Sequence, residues 1–256
     1  MEALRTELRR AELPRAETRR AEPRPTSETS NGSIYERVLG DDFQRLHPRI
    51  QERFGFDSRA GIGQVGRGVM EKIWRGPAYT LPFLYLGTWR NIMFPESGRN
   101  VPFRVENFAY PDDFGRETVT WVRTFDHPTR SRRFDATMIY SESRRRIVDY
   151  LGSHQHLAVD LDLSVSERGG MKIRSGEQRF YEGLLGFRFP LALSGIACVE
   201  EWFDEDVDGY RIEVDVRNPL LGKLFGYVGR FQVETVEVCR EAIPNHVKPL
   251  REESRE

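Results

Sequence analysis

From Val101 onward the apolar residues of this 256-residue chain recur with a period of two, and this repeat limits the fold more than any other feature. Val101/Phe103/Val105, Val119/Trp121/Phe125, Phe134/Ala136/Met138/Tyr140, Leu157/Val159/Leu161/Leu163/Val165 and Tyr210/Ile212/Val214/Val216 each place one apolar face on a strand. Turn signals separate these segments: Pro111–Gly115, His127–Pro128, Ser141–Ser143, Arg168–Gly170 and Asp206–Gly209. Connections this short join antiparallel neighbours and leave no room for βαβ crossovers. About eight or nine strands with one apolar face each need closure or a covering layer. The fold class expected is therefore mainly β: an antiparallel β-barrel or strongly curved sheet, lipocalin-like in outline, with N-terminal helices packed on it.

Those helices are expected from Ser33, which precedes Ile34-Tyr-Glu-Arg-Val-Leu39 with Glu36 at capping-box spacing. A break at Pro48 divides the region into two short helices. Leu81–Phe94 is apolar but too short to span a bilayer, and reads as a buried amphipathic helix ending before Pro95. The expected organisation is a charged, disordered tail over 1–32, one β-rich domain over 33–240 (a helical and loop cap over 33–95, then strands over 101–238) and a polar C-terminal tail over 241–256. The first segment mixes Arg and Glu densely, with no aromatic residue, and cannot bury enough apolar area to offset its chain entropy.

The formal net charge of -1 gives no basic footprint for nucleic acid. No signal-peptide core and no apolar run near the length of a membrane span are visible, so a cytoplasmic, reducing location without a membrane span is expected. Cys198 and Cys239 both fall in strand-like patterns, where a free thiol behaves as a small hydrophobe.

Few motifs carry chemistry. Gly61-Ile-Gly-Gln-Val-Gly66 matches a dinucleotide fingerprint, but no strand precedes it and no acidic residue follows at the required distance, so it reads as a flexible loop and no cofactor is expected. His154 and His156 on a strand would aim two imidazoles to one side about 6–7 Å apart, a spacing suited to two ligands of one metal, without an evident third. No nucleophile motif is present. Charges on apolar faces are more informative. Arg123 falls between Trp121 and Phe125, and Glu200 between Cys198 and Trp202; Arg133 and Asp135 form a second such set. A buried charge must pair, neutralise or meet a ligand. The segment Asn218-Pro-Leu-Leu-Gly-Lys-Leu-Phe-Gly-Tyr-Val-Gly229 reads as a rigid apolar insert between two strands. Asn218, Pro219, Gly222, Phe225, Gly226 and Gly229 would shape it either as a plug closing a barrel or as an exposed docking surface for a protein partner.

The runs Val119–Phe125, Arg133–Met138, Gly169-Gly-Met with Ser175-Gly176, and Asn218–Phe231 resemble the bacterial domain of unknown function 4166, over roughly Ser33 to Val238. The resemblance implies no assigned activity. It implies an accessory or ligand-presenting module, since relatives occur behind multi-span membrane segments or NAD(P)-binding domains; this chain carries neither. Taken with 16 Phe, 9 Tyr and 4 Trp, the residues favour a non-enzymatic module that binds a small apolar or amphipathic ligand. Trp121, Phe125, Trp202 and Tyr227 would form the wall, with Arg123 and Glu200 as polar anchors. The alternatives are an enzyme of unknown reaction using His154 or His156, and an interaction module using the 218–229 insert.

Overall fold

A computed structural model describes residues 32–190, 194–238 and 243–256, which fall within one compact unit, Gly32–Glu256. The expected tail over 1–32 lies outside the described residues up to 31. Among the described residues three short α-helices, α1 (Ile34–Leu39), α2 (Pro48–Phe54) and α3 (Leu81–Thr88), accompany eleven strands. The strands are β1 (Ile62–Arg75), β2 (Gly98–Pro111), β3 (Glu117–His127), β4 (Arg130–Ser141), β5 (Arg146–Leu151), β6 (Leu157–Val165), β7 (Met171–Glu182), β8 (Leu185–Phe189), β9 (Ile196–Asp204), β10 (Gly209–Asn218) and β11 (Gly222–Glu237). All pairings are antiparallel, in the order β6-β5-β4-β3-β2-β1-β11-β10-β9-β7. A further β6–β7 pairing closes this ring into a barrel of ten strands, and β8 hangs on β7 outside it. Closure leaves no ring strand with an unpaired edge, which answers the demand that the period-two pattern made.

The apolar faces read from the sequence point into this barrel. Val101, Phe103, Val105, Trp121, Phe125, Ile212 and Val214 all lie in one continuous core. The eleven strands exceed the eight or nine expected, and one of them comes from a pattern that reads as a loop. The glycine-rich stretch is strand β1, not a flexible loop, and its backbone is paired to β2 on one side and β11 on the other. Amides committed to two ladders cannot cradle a pyrophosphate. A Cβ at Gly66 would stand 2.6 Å from Val105 Cγ1 and 2.8 Å from Phe231 Cδ2, so the glycine lets β1 pass beneath those side chains.

The 218–229 segment is likewise no loop insert. Only residues 219–221 form the turn; residues 222–229 belong to β11, which pairs with both β1 and β10. Phe225 and Tyr227 are fully buried in the barrel, which removes them from any docking surface, whereas Leu220 and Leu221 at the turn are exposed. Asn218 Oδ1 accepts from the amides of Leu220 and Leu221, both at 2.8 Å. Asn218→Ala is therefore expected to destabilise the protein by about 1–2 kcal/mol in urea denaturation, because two amides of the turn lose the buried side chain that accepts from them.

The stopper of the barrel is built by α1 and α2. Ser33 Oγ accepts from the Glu36 amide at 3.2 Å and Glu36 Oε2 accepts from the Ser33 amide at 2.7 Å, the capping box that the sequence indicated. His47 caps α2 and Pro48 opens it. Ile34, Tyr35, Ile50 and Phe54 belong to the same core as the barrel interior. Tyr35 meets Phe54 edge-on at 4.9 Å and accepts the Trp121 Nε1 hydrogen at 2.9 Å.

Helix α3 departs from expectation. It ends at Thr88 and is not amphipathic: Leu84 and Gly87 are buried, while Phe83, Tyr85 and Leu86 face outward. Asn91 then turns with positive φ, and its carbonyl accepts from the Asp135 amide. No described helix is long and apolar enough to cross a membrane. The C-terminal segment runs along the outside of the barrel. Val247 and Ile243 bury against Phe108, Tyr110 and Val122, and Tyr150 and Tyr181 donate to the carbonyls of Arg255 and Glu256.

Candidate functional site

At the end opposite the stopper, the barrel interior is a cavity of about 520 Å³. Its walls come from alternate residues of neighbouring strands: Val159 and Leu161 on β6, Ile173 on β7, Ala197 and Val199 on β9, and Val214 and Val216 on β10. Phe134 and Met138 on β4 add to the apolar lining. Gln178 Nε2 donates to the Gly195 carbonyl and Ser175 Oγ accepts from the Ala197 amide, so these polar lining groups are occupied within the protein. The rim carries Phe83 and Leu86 of α3 and the adjacent Trp89, the last 79% exposed.

Trp121, Arg123 and Asp149 line the inner end, toward the stopper. Arg123 is only 5% exposed. Its Nε donates to the Phe134 carbonyl at 3.2 Å and one terminal nitrogen donates to the Tyr227 hydroxyl at 3.3 Å. Its guanidinium lies 3.8 Å over the Phe134 ring. Thus the buried cation is held by a carbonyl, a phenol and a π-face, with no carboxylate among the described residues in ion-pair contact.

Asp149 reaches the cavity from β5. It too is buried, and its Oδ1 has no hydrogen-bond partner among the described residues. Burial pushes its carboxyl up to about 7, against the opposing pull of the Arg123 charge and the Thr137 amide. Burial also raises the Tyr227 phenol, against Arg123. A neutral or half-ionised acid and a buried cation therefore share an apolar chamber.

The residues expected at the site divide. Trp121 and Arg123 line the cavity; Phe125 and Tyr227 lie in the packed core beside it, Tyr227 holding Arg123. Glu200 and Trp202 are corrected: both sit on the outer face of β9. Arg168 pairs with Glu200 at 3.2 Å and stacks 4.5 Å over Trp202. The inward parity of β9 is Ala197, Val199, Glu201 and Phe203, with Glu201 only 1% exposed. Cys198 is accordingly exposed, not a buried hydrophobe; Cys239 lies outside the described residues. The inward Glu201 pairs with Arg53 of α2 at 3.0 Å, an arrangement no spacing in the sequence disclosed. Arg133 and Asp135 pair on the outer face, opposite Phe134.

His154 and His156 precede β6 instead of lying within it. Their rings stack at 5.7 Å on the cavity rim. His156 Nδ1 faces Arg251 at 3.0 Å and Glu182 at 2.8 Å, and burial with the Arg90 charge lowers the basicity of His154. Among the described residues no group of three His, Cys, Asp or Glu side chains could hold a metal ion. Asp149 and Glu201 were the residues missed. The alternation of β5 (Ile147/Asp149/Leu151) already carried a signal for Asp149, as an acid on the strand's apolar parity.

The fold and site define a closed antiparallel β-barrel with one end stoppered by helices and an apolar chamber at the other. The chain belongs to the family described as domain of unknown function DUF4166, whose sequence model matches residues 46–231. It is 36% identical over 207 residues to the uncharacterised protein YndH of Bacillus subtilis (strain 168), which spans 80% of this chain and 98% of that protein.

Proposed function

We propose that the protein is a non-enzymatic binding module that holds a small apolar or amphipathic molecule in the barrel chamber. The observation that carries this reading is the chamber itself: about 520 Å³ walled by Val, Leu, Ile, Phe and Met, within the range of about 300–1,000 Å³ typical of ligand pockets. The sparse polar groups support binding over catalysis. The histidines at the rim are engaged with Arg251, Glu182 and Ser153, and the Ser153 hydroxyl that meets His154 Nδ1 at 3.0 Å does not line the chamber.

Titration with N-phenyl-1-naphthylamine, an uncharged apolar fluorophore, is expected to give saturable one-to-one binding in the micromolar range. Ala197→Trp, which fills the chamber from its β9 wall, should weaken this binding at least tenfold while thermal unfolding remains cooperative. Should Ala197→Trp fail to fold, Val199→Phe serves the same purpose. Non-saturable fluorescence in the wild type, or undiminished binding in a folded filled variant, would overturn the reading.

A further inference from the structure

Resting on that reading, we infer that the ligand is an amphiphile with an anionic oxygen headgroup, a carboxylate in the first instance, bound head-inward between Arg123 and Asp149. An uncharged apolar molecule would require neither group. Arg123 is a permanent cation nearly withdrawn from water, and its named partners are a carbonyl, a phenol and an aromatic face, none of which neutralises it. A desolvated guanidinium without a carboxylate partner is costly, and a planar two-oxygen anion matches its fork of donors. Asp149 supplies a second, independent observation: an oxygen buried without a partner at the same inner end of the chamber.

The two groups are complementary around an anion. With its acid neutral, Asp149 donates one hydrogen bond to a ligand oxygen while Arg123 faces the charge. The tail then lies along Val159, Leu161, Ile173 and Val214 toward the rim. The elevated carboxyl of Asp149 makes this state accessible near neutrality, and a neighbouring anion raises it further. Binding therefore takes up a proton and weakens as pH rises.

Other charged groups bear on the same region and bound the pH argument. Tyr35 on α1 senses Arg53 of α2, Asp149 of β5 and Glu201 of β9; Arg123 of β3 also acts on Asp135 of β4, on Glu201 and on Tyr227 of β11. His154, His156, Glu182 and Arg90 line the outer part of the chamber. The substitution of Asp149 itself is therefore the control.

The test compares dodecanoate with its uncharged methyl ester, each displacing N-phenyl-1-naphthylamine. Wild type is expected to bind dodecanoate at least tenfold tighter than the ester. Arg123→Met should remove that preference while retaining the neutral probe. Above pH 7 the wild-type affinity for dodecanoate should fall by up to tenfold per pH unit, with ester affinity flat; Asp149→Asn should abolish the slope, and His154→Gln should leave it. Equal affinity for acid and ester in the wild type overturns the inference and leaves the chamber reading intact, as does a preference that survives Arg123→Met. Failure of the neutral probe itself sinks the chamber reading instead. If Arg123→Met does not fold, Arg123→Lys provides the second variant: it keeps the charge but loses the fork, and is expected to retain part of the preference, whereas an unchanged preference counts against the bidentate arrangement.

Discussion

Glu201→Ala is expected to lower stability by about 3–5 kcal/mol, read as a fall in the urea midpoint at unchanged slope. The loss follows from what remains behind. Arg53 and Glu201 are each 1% exposed, joined at 3.0 Å, with Gln64 Oε1 accepting from Arg53 at 2.7 Å. Without Glu201 the guanidinium is left between Trp121 at 5.3 Å and Phe231 at 5.8 Å, away from water. The pair is nevertheless not fully satisfied: one Arg53 nitrogen and Glu201 Oε2 have no hydrogen-bond partners among the described residues, and burial pushes the Glu201 carboxyl upward against Arg53. Its net contribution relative to an apolar pair is therefore small. Arg53→Met with Glu201→Leu should return to within about 1–2 kcal/mol of the wild type, a coupling that a double-mutant cycle measures. A single variant as stable as the wild type would show that the two charges are not buried together.

Asp149→Asn is expected to stabilise the protein by up to about 4 kcal/mol at pH 8 and by almost nothing at pH 4. The sign follows from the direction of the shift. In the folded barrel the carboxyl is raised from 3.8 to about 7, so between pH 4 and 7 the folded state holds a proton that the unfolded state has released. Wild-type stability accordingly falls as pH rises through that window, and above it the folded barrel carries a buried carboxylate. Asn keeps an oxygen for the Thr137 amide and bears no charge to desolvate. Thermal melts of both proteins from pH 4 to 8 should diverge steadily with pH. Parallel curves would mean that Asp149 is hydrated in the native state. Retaining an acid that lowers stability at this position is consistent with a role in the chamber, because cost at one site commonly accompanies function there.

The strand alternation, the capping box at Ser33 and Glu36, the break at Pro48 and the glycine hairpin at Gly169 were legible because each depends on neighbours in the chain. So was the inward placement of Trp121 and Arg123, which the strong pattern of β3 fixes by parity. Weak patterns failed. In β9 both parities are mixed, and Cys198 and Trp202 suggested the wrong inner face, whereas packing against the stopper selects Glu201 to meet Arg53. Glycine misled in a similar way at β1 and β11, where it signals close approach between strands and not a turn.

By itself the sequence determined an antiparallel barrel or strongly curved sheet, because period-two segments with short connections admit few other ways to bury one face. Only the tertiary structure decided which end is stoppered, where the chamber lies, and that Arg123 shares it with Asp149. These depend on how ten strands stagger around a ring and on which helix enters its end. Such contacts join residues far apart in the chain, and local spacing carries no record of them.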